Sequence, residues 1–236
     1  AGDKKVGQSL LGTIEKKIVN KYVSAIPQKV ETYHLTLLTI PWCIVIIAAS
    51  YLAQNNINWL WLVSVMIVFQ YITDLFDGAV GRHRNTGLIK WGYYMDHFLD
   101  YIFLCSILIG YSFIITDDPY KIMFFVLAIF GAFMVNSFLS FAATNQFKIA
   151  YLGIGPTEIR IIFIIINTLI IFFGKTFMAW ALPYILGIAF IGLVLVVYKT
   201  SQHIWGIDMK KNNPHYEIEE GKDLSDKEIK YIEELY

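Results

Sequence analysis

Apolar residues run along this chain in six long stretches, at about 35–54, 57–76, 93–115, 121–143, 159–174 and 178–198. Each approaches the roughly 20 residues that an α-helix needs to cross the hydrocarbon core of a bilayer. Backbone groups in lipid must find partners inside the chain. No stretch alternates apolar and polar positions as a barrel strand does, so the pattern predicts helices. Only Gln54-Asn55-Asn56-Ile57-Asn58 separates the first two, which predicts a tight helical hairpin. The expected fold class is all-α: a polytopic membrane helix bundle of six transmembrane helices with an N-terminal interfacial amphipathic helix.

That first helix is read from residues 8–30. Leu10, Leu11, Ile14, Ile18, Val19, Tyr22 and Val23 recur at helical spacing, with Glu15, Lys16, Lys17, Asn20 and Lys21 between them. Such a helix can lie in the membrane interface or pack on its own bundle, and the two are compatible. Beyond Gln202 the chain is polar, with the acidic run Glu217-Ile218-Glu219-Glu220. Its last part, Asp223 to Leu235, has the pattern of a short amphipathic helix that Ser225 would cap. The expected organisation is an interfacial helix at 1–30, a membrane domain at 31–200 and a polar cytosolic tail at 201–236.

Composition agrees with a membrane solvent: 56% of residues are apolar and 16% charged, against about 25% charged in soluble domains. A soluble core of this size would leave large apolar patches exposed. Nineteen Lys and Arg balance nineteen Asp and Glu, so no global field argues for nucleic acid. Cys43 and Cys105 lie inside apolar runs, without metal-ligand spacing, and read as small buried hydrophobes. The polar start, Ala1 to Lys5, carries no recognisable cleavable signal, as expected of a truncated or mature terminus. Lys4, Lys5, Lys16, Lys17, Lys21 and Lys29 precede the first span. Arg82, Arg84 and Lys90 lie between the second and third, Lys148 and Arg160 between the fourth and fifth, and Lys199 after the last. The opposite loops hold only Lys121 and Lys175, which places both termini and the 78–92 loop in the cytosol. Trp59, Trp61 and Trp180 near span ends fit interfacial belts.

In a chain so sparing with charge, Asp74 and Asp77 close the second span and Asp96 and Asp100 open the third. The pairs are three and four residues apart, so on a helix of about 3.6 residues per turn each projects from one face. A short loop lets all four converge near the cytosolic surface. Converging carboxylates repel unless cations or protons neutralise them, and hard oxygen ligands suit Mg²⁺, Mn²⁺ or Ca²⁺ rather than zinc or copper. Gly78, Gly81 and Gly92 leave room for a base or a diphosphate, and Arg82 offers a phosphate-binding fork. Together these describe a nucleotide-diphosphate site suited to phosphoryl transfer, where catalysis is largely positioning and charge neutralisation. An ion transporter, the competing reading, would place its acids near the bilayer midplane within internal repeats. A scaffold without activity would leave the acids unexplained.

Asp74, Asp77, Gly78, Arg82, Gly92, Asp96 and Asp100 match, in order, the signature D-x2-D-G-x2-A-R-x8-G-x3-D-x3-D. On these residues the chain resembles the CDP-alcohol phosphotransferase family. Gly81 stands where alanine is usual, and the loop before Gly92 is one residue longer than the pattern. Thr32-Tyr33-His34-Leu35-Thr36 occupies the place of a frequent Pro-Asn. The resemblance covers about 30–200 and implies a homodimeric enzyme with one or two divalent ions, Mg²⁺ or Mn²⁺. It further implies that Asp74, Asp77 and Asp96 hold metal, and that Asp100 ligates or acts as base on the acceptor hydroxyl. Gly78 and Gly81 would line the cytidine pocket and Arg82 would steady the diphosphate. The partners implied are a CDP-alcohol donor and a lipid or small-alcohol acceptor.

Two local features resemble the choline/ethanolamine phosphotransferase branch: Met95-Asp96-His97, and Gly155-Pro156-Thr157-Glu158 before an apolar run. On that reading phosphocholine or phosphoethanolamine passes to diacylglycerol, with Glu158 and His97 near the acceptor or head group. Glu158 is equally suited to capping the first turn of its helix. The rival chemistry takes CDP-diacylglycerol as donor and a small polar alcohol as acceptor (glycerol phosphate, inositol phosphate or serine). Lys148, Arg160 and Lys199 would then form an anion pocket, unless they serve only as positive-inside anchors.

Overall fold

The computed structural model describes residues 4–6, 11–85, 88–115, 120–144, 146–148 and 155–212. Two compact units, Ala1–Val197 and Tyr198–Tyr236, divide the chain. Helix α1 (Gly12–Tyr22) ends in a 3₁₀ turn at Val23–Ala25. It is shorter than the 8–30 expected, because Pro27 follows closely and the backbone is already extended at Ile26. Helices α2 (Thr32–Leu37) and α3 (Thr39–Leu52) together make the first long apolar segment, Thr32–Leu52. Pro41 removes one amide from the helical ladder just after the break between them, where a proline costs least.

Helices α4 (Trp59–Arg84), α5 (Ile89–Ile114), α6 (Tyr120–Thr144), α7 (Pro156–Phe173) and α8 (Lys175–Asn212) follow. The described residues thus contain six segments long and apolar enough to cross a membrane, as the hydrophobic pattern predicts. The chain is a polytopic helical membrane protein. Two three-residue strands, Lys4–Val6 and Gln146–Lys148, pair in parallel beside the bundle. The tail helix expected at 223–235 lies outside the described residues.

Two boundaries differ from those read in the sequence. Helix α4 continues to Arg84 rather than stopping near residue 76, so the loop expected at 78–92 shrinks to 85–88. Helical hydrogen bonds propagate past the apolar stretch as long as one face stays covered, and Ala79 and Val80 are buried. Asn85 stops the helix in the left-handed conformation (φ 53°), a role asparagine tolerates. Helix α8 likewise runs on to Asn212, carrying Pro183 within it.

The core lies among α3, α4, α5 and α7. Ile46, Leu60, Ile67, Ile107, Ile114 and Ile170 are fully enclosed there. A polar thread crosses the same core. Tyr111 donates its hydroxyl towards Asn167 Oδ1 at 2.8 Å, with the Phe163 carbonyl at 3.2 Å, and the Asn167 amide donates to Ser64 Oγ at 3.0 Å. Every group in that thread is buried, where an unmade hydrogen bond is costly, so it fixes the register of α4, α5 and α7. Large apolar side chains such as Phe124, Phe172, Trp180 and Ile188 point outward, as lipid allows.

Helices α3 and α5 come close where Gly110 faces Ser50, since a methyl group on Gly110 would strike the serine side chain. Gly110→Ala should cost about 1–3 kcal/mol through overpacking, read as a lower Tm in detergent. Ser50→Gly in the same chain should recover most of the loss. Equal destabilisation in the double variant would show that this contact does not set the helix spacing.

Candidate active site

The D-x2-D-G-x2-G-R segment is helical throughout, so its side chains are placed by α4 alone. Asp74 projects from one face of α4, and Asp96 and Asp100 project one turn apart from α5. Carboxylate oxygens of Asp74, Asp96 and Asp100 lie within 4.8 Å of one another. Oxygens on opposite sides of an octahedral ion are about 4.2 Å apart when each bond is about 2.1 Å. The three acids therefore stand close to the spacing a hard divalent cation asks for.

Arg160, on the second turn of α7, meets this cluster from a third helix. Its Nη2 lies 2.9 Å from Asp74 Oδ2 and 3.0 Å from Asp100 Oδ1, and its Nε donates to Gln70 Oε1 at 2.7 Å. The arginine is only 5% exposed, and its guanidinium carbon sits 5.7 Å from the Phe103 ring centre. A guanidinium keeps its charge even when buried, and its planar fork suits two carboxylates and an amide at once. As an element of an anion pocket for the acceptor, Arg160 is thus already engaged with acids.

Asp77 takes a different direction. Its Oδ2 accepts from the Thr36 hydroxyl of α2 at 2.8 Å, and its Oδ1 accepts from the Gly78 amide. It is buried, and the group of acids within reach of one cation does not include it. Gly78 lies under Arg82: a Cβ there would come within 3.2 Å of Nη1. Arg82 itself is exposed, while Gly81 and Gly92 are half-buried helical positions. Space beside Gly92 is open, since a Cβ there would meet nothing within 4 Å.

His97 stands next to Asp96, with Nδ1 3.3 Å from its Oδ2. Its ring centre lies 4.3 Å from that of Tyr93 and 5.9 Å from that of Phe138, and Tyr93 also meets Phe141 at 5.0 Å. Glu158 accepts the amide of Gly155, the N-cap of α7, at 2.8 Å and also accepts the Leu11 amide at 3.2 Å; glycine has no side chain to return the bond, so this is half of a capping box. Lys199 is exposed, and the Lys148 side chain lies outside the described residues.

Several residues of this neighbourhood carry no sequence signal of their own. Glu15 of α1 accepts from Tyr71 on α4 at 3.1 Å and from Thr157 on α7, one turn before Asp74 and Arg160 respectively. Arg84 donates to the carbonyls of Ile26, Pro27, Gln28 and Val30 and faces Glu31 at 3.8 Å. It thereby pins the segment after α1 to the end of α4. Only the α4/α5 signature and the i, i+3 relation of Tyr71 to Asp74 hint at any of this in the sequence.

Residues 32–198 match the model of the CDP-alcohol phosphatidyltransferase family. The chain belongs to that family. No curated protein and no solved structure matches it. Membership makes the chain a transferase of lipid synthesis, moving a phospho-alcohol from a CDP-alcohol to an acceptor with the help of divalent metal. The donor set fits such an ion: three carboxylates from two helices, with oxygens close enough to share it.

If Asp74 and Asp96 are ligands, Asp74→Asn and Asp96→Asn should each weaken Mn²⁺ binding at least about tenfold, the lower end of what outer-shell changes cost. Electron paramagnetic resonance of free Mn²⁺ measures this directly. Unchanged affinity in both folded variants would remove the cluster as the metal site.

Proposed function

We propose that this enzyme transfers phosphocholine or phosphoethanolamine from its CDP ester to diacylglycerol, releasing CMP. The observation that carries the reading is the aromatic cluster beside Asp96, where Tyr93 and Phe138 flank His97 and Phe141 meets Tyr93. Aromatic faces next to a carboxylate suit a quaternary ammonium or an ammonium head group. A phosphorylated small acceptor would instead need free cations. Among the described residues, the two arginines nearest the acids and the α4 end are already engaged, Arg160 by Asp74 and Asp100 and Arg84 by the backbone of 26–30, and the exposed Arg82 is used by the donor's phosphates in this reading. That distribution favours a neutral lipid acceptor.

In this reading Asp74, Asp77, Asp96 and Asp100 hold divalent metal, with Asp77 turning from Thr36 to do so. Bound there, the metal would supply neutralisation of charge on the diphosphate and on the departing CMP. Gly78, Gly81 and Gly92 admit the cytidine and diphosphate to the helix surfaces, and the exposed Arg82 fork steadies the phosphates. Asp100, with Oδ1 fixed by Arg160, offers its other oxygen as the base that takes the proton of the acceptor hydroxyl. The alcohol oxygen then forms its bond to the phosphorus distal to cytidine as the bond to CMP breaks. His97 would face the head group. Glu158 would reach the acceptor side only by giving up Leu11. The lysine and arginine distribution supports an active site at the cytosolic face. The outward apolar side chains are compatible with a homodimer.

Two measurements test this. Purified enzyme given diacylglycerol, a divalent ion and radiolabelled CDP-choline or CDP-ethanolamine should form labelled phospholipid. Product only from CDP-diacylglycerol with a small polar alcohol would replace this reading by the phosphatidyltransferase one. Asp100→Asn should fold normally and lose at least about 10²-fold in turnover, the lower range for a general base. Substantial residual activity would take Asp100 out of the proton transfer.

A further inference from the structure

Two of the three acids that share one potential cation position already hydrogen-bond to the same nitrogen of Arg160. Counting formal charges, three carboxylates and one guanidinium leave two negative charges at the cluster rather than three. Gln70 indicates that this arrangement is held deliberately in place. It is fully buried on α4, one turn before Asp74, and gives its Oε1 to Arg160 Nε. Among the described residues its own Nε2 has no hydrogen-bond partner. A buried amide with an unmade donor is destabilising by itself. Its structural yield is the one bond that fixes the edge of the guanidinium, with Phe103 set beside the plane.

We infer that Arg160 is a positioning residue that competes with divalent metal for Asp74 and Asp100, with Gln70 as the anchor that holds it there. The inference rests on reading the three carboxylates as metal ligands. Until metal arrives, Arg160 holds the two acids on one nitrogen and offsets part of the repulsion that three bare carboxylates would suffer. The cost is affinity: an incoming ion must take oxygens that a buried guanidinium already occupies. The metal-free site is thereby preorganised yet holds its ion loosely, so that the negative charge of a nucleotide diphosphate contributes to full occupancy. A purely structural ion pair makes the opposite prediction, because removing it would loosen the acids and weaken metal binding.

The test is Mn²⁺ binding by the detergent-purified full chain without nucleotide, with elution profile and Tm confirming the fold of each variant. Arg160→Gln should bind Mn²⁺ about tenfold more tightly, the smaller end of what one neighbouring charge does to an acid's affinity for protons. Gln70→Leu leaves the charge in place but frees its edge, and should also tighten binding, by a smaller factor. Arg160→Lys, which keeps a cation, should stay close to the unaltered chain. Equal or weaker binding by folded Arg160→Gln would overturn the inference. Should that variant fail to fold, unchanged or weaker binding by Gln70→Leu would overturn it equally. If the unaltered chain and Asp74→Asn bind Mn²⁺ equally poorly, the reading of the carboxylates as metal ligands falls first. That result is distinct from an unaltered chain that binds metal but does not respond to Arg160.

Discussion

The guanidinium of Arg160 ties three helices at one point. Asp74 brings α4 to it, Asp100 brings α5, and its own backbone brings α7. An ion pair buried this deeply rarely adds net stability, because desolvating the charges costs about as much as their attraction returns. Its consequence here is geometric. Each helix can turn or slide only by breaking a charged hydrogen bond, so the acids keep one arrangement. The polar thread of Tyr111, Asn167 and Ser64 does the same for these three helices deeper in the core. Between the two, the helix faces that carry the chemistry have little freedom.

The rest of the neighbourhood follows from that point. Glu15 sits one turn from Arg160 and Asp74, through Thr157 and Tyr71, and so attaches α1 to the helices that make the site. This explains why the amphipathic helix shows Ile14, Ile18 and Tyr22 to the outside while an acidic residue faces the bundle. The arrangement combines both expectations for α1, since it packs on the bundle and keeps an apolar stripe for the membrane interface. Arg84 completes the attachment by gathering four backbone carbonyls between 26 and 30. The guanidinium thus supplies donors to carbonyls of an irregular turn that lies outside any helical ladder.

The family places this geometry in lipid synthesis. Chemistry at a phosphate demands mainly that charge be neutralised and atoms held in line. A bundle whose acids project from adjacent turns of two helices supplies the first demand with very few residues. Arg160 contributes to the second, since it holds Asp74 of α4 and Asp100 of α5 on one nitrogen.

The six apolar segments, the all-helical class and the acids of the site were legible in the chain because lipid imposes a one-dimensional rule. Spacing of three and four residues on a helix then says which acids share a face. Helix ends were less legible. Hydropathy reports where lipid stops, whereas α4 stops eight residues later, where Asn85 turns left-handed and Arg84 finds its carbonyls. The partners of the acids were not legible at all. Arg160 read as part of an acceptor anion pocket or as a positive-inside anchor, and Asp77 as a fourth equal member of the cluster. Only the packing of α7 against α4 and α5 gives Arg160 to Asp74 and Asp100, and only α2 gives Thr36 to Asp77. Such pairings join residues far apart in the chain, so local periodicity carries no trace of them. The sequence determined which groups lie on which helix face, and the tertiary structure decided which charges meet.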